Sequence, residues 1–216
     1  MKKNCTEMVF ILDRSGSMAG LEEDTIGGFN GMIGRQKLEE GEALVSTVLF
    51  DSVSRVIHDR VPLDQVPPLT RGEYCVGGCT ALLDAVGGAI HHIGNVHKYA
   101  REEDRPERTV FIITTDGMEN SSRSYSRERV RQMITRQKEK YGWEFLFLGA
   151  NIDAENTAEG IGIGRDRAVT FSNDSEGIAL NYEVLSETVS GIRVCGSAPE
   201  AWAQRIREDH ASRGSR

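Results

Sequence analysis

The sequence predicts one α/β domain whose mostly parallel sheet is covered by helices on both faces. Three observations carry this prediction. Continuously apolar runs of strand length recur along the chain, as expected of strands buried on both faces. Longer stretches with apolar residues at every third or fourth position lie among them. The two kinds of segment largely alternate, the order that builds a parallel sheet through crossover helices. With 216 residues, the chain is long enough for one substantial core and short for two. No internal repeat is visible.

The first strand is MVFIL at 8–12. Residues 22–39 have a helical pattern but carry Gly27, Gly28, Gly31 and Gly34. Each costs roughly 1 kcal/mol relative to alanine in a helix, so tertiary contacts or a close approach must justify them. ALVSTVLF (43–50) and VSRVI (53–57) are joined by Asp51-Ser52, a link short enough for an antiparallel hairpin. Pro62, Pro67 and Pro68 then mark an irregular stretch. A helix is expected from near Thr80, with Leu82, Leu83, Val86, Ile90 and Ile93 on one face. TVFIITTDG (109–117) reads as a buried strand that ends in polar residues. Residues 126–141 read as an amphipathic helix with Val130, Met133, Ile134 and Tyr141 inward. WEFLFLGA (143–150) is a strand, 153–159 a short helix and AVTF (168–171) a last strand. Ile178, Tyr182, Leu185, Val189 and Ile192 form a helical stripe. The charged segment from Pro199 to Arg216 is expected to fray.

The net charge of −7 supplies no basic footprint for nucleic acid or an anionic membrane surface. No apolar run approaches membrane-spanning length, and the N-terminal run lacks a small-residue cleavage site. Cys5, Cys75, Cys79 and Cys195 are sparse and unevenly spaced, which argues against a secreted disulfide framework and for a reducing, cytoplasmic setting.

Ligands of such sheets bind at the carboxyl ends of the strands. Two strands here end in aspartate, Asp13 and Asp116. Ser15 and Ser17 follow the first, and Thr80 follows Gly77-Gly78 at a helix start. Together they offer two carboxylates and three hydroxyls, with no nitrogen or sulfur. An oxygen-only set suits magnesium, manganese or calcium. Neutral hydroxyls fill coordination positions without cancelling the ion's charge, which leaves it able to accept a carboxylate from a partner.

Each residue also has a plainer role. Asp13, Ser15 and Thr80 all suit helix capping. Cys75 and Cys79 with His91 and His92 could be imagined as a zinc site, but adjacent histidines on a helix diverge. GIGIG (160–164) lies between a helix and a strand rather than between a strand and a helix, so a turn is expected. Trp143 and Trp202 read as packing anchors. Arginines 123, 127, 129, 131 and 136 make a locally basic helix, read first as a solvated face and second as a docking surface.

DRSGSM (13–18) matches the D-x-S-x-S motif of the von Willebrand factor A (VWA) domain family, and the chain resembles that family over residues 6–192, leaving 193–216 as a charged C-terminal tail. The threonine of GGCTAL (77–82) and the aspartate of TTDG (114–117) match its second and third metal-binding segments. The resemblance implies a Rossmann-like three-layer sandwich of six strands with one antiparallel edge strand, for which the 43–57 hairpin is the natural source. It also implies a metal-ion-dependent adhesion site (MIDAS) formed by Asp13, Ser15, Ser17, Thr80 and Asp116 around a divalent cation, magnesium first. The function so implied is capture of an aspartate or glutamate of a partner protein. Among the family, the chain looks most like small bacterial intracellular members, including those encoded beside tellurium-resistance systems.

The alternative is a metal-dependent hydrolase or phosphoryl-transfer enzyme with Asp13 as nucleophile. Against it, Ser15 stands where a second acid would be useful, and no lysine or histidine is evident as general acid. A scaffold that has lost its ion is a third reading, and the intact set of hydroxyls argues against it.

Overall fold

A computed structural model describes residues 1–213. Six strands form one sheet: β1 (Lys2–Asp13), β2 (Glu42–Phe50), β3 (Ser54–Pro62), β4 (Pro106–Asp116), β5 (Glu144–Ala150) and β6 (Ala168–Phe171). Their order is β3-β2-β1-β4-β5-β6. Only β2 and β3 pair antiparallel, which makes β3 the antiparallel edge; the other pairs are parallel. The helices are α1 (Glu22–Gln36), α2 (Leu82–Tyr99), α3 (Arg127–Tyr141), α4 (Ala154–Gly160), α5 (Ser175–Cys195) and α6 (Gln204–Arg213).

Strand alternation divides the core into two layers. Met8, Phe10 and Leu12 of β1 join Phe29, Met32 and Ile33 of α1 and the α5 stripe. Val9 and Ile11 face the other way, toward α2, Val130 and Ile134 of α3, and Ala154 and Ala158 of α4. Trp143 anchors that second layer by stacking on Phe111 at 5.3 Å. Caps fix where the helices begin. Ser126 accepts from Arg129 N, Asp153 from Asn156 N, and Asp174 from Gly177 N. Gly142 and Gly196 end α3 and α5 in the left-handed conformation.

Several expectations change. The helix expected over 22–39 stops at Gln36, and β3 extends to Pro62 with a shifted register opposite Thr47. Tyr141 is exposed rather than inward, because it is the last residue before the Gly142 cap and has left the buried face. The segment expected to fray is folded as far as Arg213, while residues 214–216 lie outside the described residues: Trp202, Ala203 and Ile206 join the α1–α5 layer, and Trp202 Nε1 donates to Asp166 O at 2.8 Å. Few apolar residues suffice there, each fully used.

Candidate metal centre

The parallel arrangement of β1 and β4 brings their carboxyl ends side by side. Asp13 and Asp116 stand there, both buried, 2% and 1% exposed. Asp13 Oδ1 accepts from Ser15 N at 2.7 Å, closing a turn. Its Oδ2 accepts from Thr115 Oγ1 at 2.7 Å and from Asp116 N at 3.1 Å. The buried Tyr74 hydroxyl donates to Asp13 O. Asp116 accepts from the Asn151 amide on Oδ1 and from the Asn173 amide on Oδ2, the latter at 2.7 Å. Burial pushes the Asp116 carboxyl above its ordinary value, and the nearby Asp13 charge adds to this; the bonds from Asn151, Ser17 and Asn173 oppose it.

All of these donors are neutral. Among the described residues, no ion pair reaches Asp13 or Asp116. Two neighbouring buried carboxylates without a cationic partner are costly, and such groups are found paired or on metals.

The hydroxyls converge on the same place. Ser15 opens a single 3-10 turn, Gly16–Met18, and its side chain makes no capping bond. Ser15 Oγ lies 3.1 Å from Ser17 Oγ, and Ser17 Oγ donates to Asp116 O. Adjacent oxygens of an octahedral magnesium site stand about 3.0 Å apart, so this pair already has the spacing of two neighbouring ligands. Thr80 is buried, and α2 begins two residues later at Leu82, with Ala81 in the cap position and no side-chain cap; the capping role is therefore not taken. A Cβ on Gly117 would stand 3.6 Å from Ser17 Oγ and 3.7 Å from Thr80 Oγ1, so both hydroxyls border one space that glycine leaves open. Gly117 has φ +147°, which also disfavours a side chain.

Backbone bonds hold the three loops together. Gly16 N donates to Gly78 O at 3.1 Å, Gly77 N to Arg14 O at 2.9 Å, and Asn120 N to Thr80 O at 3.1 Å. Asn120 Oδ1 returns the last bond by accepting from Thr80 N at 2.9 Å. Glu119 accepts from Leu83 N at 2.9 Å, tying the loop after β4 to the start of α2.

All five sequence-predicted residues thus lie at one edge of the sheet, two at the ends of β1 and β4 and three on the loops joined there. Sequence reasoning missed Thr115, Asn151, Asn173 and Gly117. The rule that selected the aspartates would have found the two asparagines, since each closely follows the carboxyl end of a parallel strand. Among the described residues, no group of three or more His, Cys, Asp or Glu side chains is placed to hold a metal ion. His91 meets the Tyr125 hydroxyl and His92 meets Asp59, so the two histidines diverge.

These features define a class: an α/β domain with an oxygen-lined site at the carboxyl edge of its sheet. No family model and no curated protein sequence matches the chain. Solved structures match in fold. Proximal thread matrix protein 1 from the mussel byssus, with a zinc-occupied MIDAS motif, aligns over 86% of this chain and 46% of its own, at 15% identity and TM-score 0.60. A von Willebrand factor type A structure from Catenulispora acidiphila aligns over 86% and 42%, at 15% identity and TM-score 0.57. Manganese-loaded TRAP protein of Plasmodium vivax aligns over 69% and 58%, at 20% identity and TM-score 0.52. The chain spans about half the length of these proteins. The likeness shows the fold: this chain is folded as a von Willebrand factor A domain. No helix among the described residues is long and apolar enough to cross a membrane.

Proposed function

We propose that this protein is a cytoplasmic, metal-dependent binding module of the VWA family, whose site takes magnesium and captures an acidic side chain of a partner protein. The observation that carries this reading is the pair of buried, unpaired carboxylates facing neutral hydroxyls from two other positions on the same edge. Two MIDAS-bearing or metal-loaded structures of the same fold, one with zinc and one with manganese, support a divalent cation.

Asp13, Ser15, Ser17, Thr80 and Asp116 would hold the ion, directly or through water. When bound, the divalent cation supplies an electrophilic coordination position for a carboxylate oxygen. The chain's residues do the rest. Thr115 and the Asp116 and Ser15 backbone amides fix the Asp13 carboxylate in place. Asn151 and Asn173 orient Asp116. Ser15, Ser17 and Thr80 contribute oxygen without negative charge, which preserves the pull on an incoming acid. Ser17 is exposed, so the site faces solvent on that side.

Binding is favoured over catalysis with Asp13 as nucleophile. Three hydrogen bonds already engage the two Asp13 oxygens, which blunts their nucleophilicity.

Isothermal titration with magnesium or manganese tests the reading. Wild type should bind one ion and Asp13→Ala should bind none while keeping its circular dichroism; equal binding by both proteins removes the idea. A complex with an acidic partner should dissociate in excess chelator without loss of fold.

A further inference from the structure

A second surface stands apart from the metal centre. A groove of about 600 Å³ runs between α2 and α3, from Tyr125 toward the amino ends of β4 and β5. Its volume is that of a ligand-binding cleft. Ile90, Met133 and Trp143 give it an apolar base. Gly94 lets α2 approach α3 closely: a Cβ there would lie 3.3 Å from Gln137 Nε2.

The walls are cationic. Lys98 of α2, Arg105 before β4, and Arg129, Arg136 and Lys140 of α3 all line the groove. Among the described residues, none of these five forms an ion pair. Arg105 Nε is buried with no hydrogen-bond partner. Lys98 Nζ and Lys140 Nζ rest over the rings of Tyr99 and Tyr141. The one acid in the groove, Glu107, is paired with Arg108 at 3.3 Å and accepts from Asn4 N. A chain of net charge −7 has therefore gathered unpaired positive charge along one cleft.

Spacing sets the shape of the occupant. Arg129, Met133, Arg136 and Lys140 follow at intervals of four, three and four, so they share one face of α3. That face is about 16 Å long, or three helical turns. We propose that the groove docks an acidic amphipathic helix of a partner protein, with its apolar side chains on Met133 and the exposed Tyr141 and its carboxylates toward the five cations. Helix-in-groove recognition uses this combination of apolar base and charged rim. A nucleic acid strand fits worse, because it would run on from Lys98 past the exposed acids Glu102, Glu103 and Asp104.

The lower end of the groove lies far from the metal centre: Pro106 lines it, and Asp116 stands at the other end of the same strand, about 33 Å away.

The test is a selection of helical 16-residue peptides from a random display library on the full chain, in excess chelator so that the metal centre plays no part. The enriched peptides should be acidic, with apolar residues at i, i+3 or i+4, and i+7. Fluorescence anisotropy should show at least tenfold weaker binding to Arg129→Glu/Arg136→Glu, partial rescue by acid-to-lysine exchange in the peptide, and no change with Arg55→Glu. Circular dichroism confirms that the variants fold. No enrichment, enrichment of neutral or basic peptides, equal binding by the double variant, or tighter binding of a single-stranded oligonucleotide each overturns the proposal.

Discussion

Arg193 lies on α5 and is 4% exposed, yet among the described residues no carboxylate bonds to it. Its guanidinium donates to Gln36 O at 2.8 Å and Gln36 Oε1 at 3.1 Å, and to Glu40 O and Gly41 O at 3.1 and 2.9 Å. It caps the carboxyl end of α1, where the helix dipole favours a cation. Arg193→Met strips these carbonyls of their donor and should cost about 2–3 kcal/mol in chemical denaturation. His58 is also buried, stacked on Phe29 and bonded to Thr47 Oγ1 at 3.0 Å. Burial lowers its proton affinity below the ordinary value of 6.5. The unfolded chain therefore binds this proton more readily, and stability is lost as pH falls below 6.5 through the folded value. The melting temperature should drop less between pH 7.5 and 5.5 in His58→Gln than in wild type. Equal slopes would remove His58 from the account.

Among the elements, α1 shows why a glycine-rich helix can persist. A Cβ on Gly28 would fall 2.1 Å from Tyr182 Cδ2, so that glycine admits the tyrosine ring of α5. Gly27, Gly31 and Gly34 have nothing within 4 Å of such a Cβ, and nothing in the structure explains them. Gly28→Ala should therefore destabilise, whereas Gly31→Ala and Gly34→Ala should each gain about 0.5–1 kcal/mol, measured by urea titration. Strands were easier to read than helix faces. MVFIL and TVFIITTDG announced themselves because strands covered on both faces leave no polar interruption, and their terminal aspartates then marked the edge where the centre lies. Asn151 and Asn173 escaped notice because amides after strands are ordinary turn residues; only their bonds to Asp116 give them a role. Thr115 was hidden inside its own strand, where threonine is common for its β-branched shape. Tyr141 obeyed the periodicity in sequence but not in space, since one turn at a helix end is enough to leave the core.

For the molecule as a whole, the least legible part was its C-terminal end. Charge dominates residues 199–213, and helix α6 holds on through Trp202, Ala203 and Ile206. Trp202→Ala should cost about 3 kcal/mol in global stability if the segment is integral to the domain. A change below about 0.5 kcal/mol would return it to the status of a loose appendage. The six-strand order itself was readable, because one hairpin followed by alternating helices and strands leaves few ways to build a mostly parallel sheet. The strand from Pro106 to Asp116 serves both ends of that sheet: one terminus lines the cationic cleft and the other carries a carboxylate of the oxygen cluster. A rigid central rod of this kind acts as a ruler. On the two proposals together, an occupant of the cleft's lower end and one at the oxygen cluster would stand about 33 Å apart, so the domain would tether one while it engages the other.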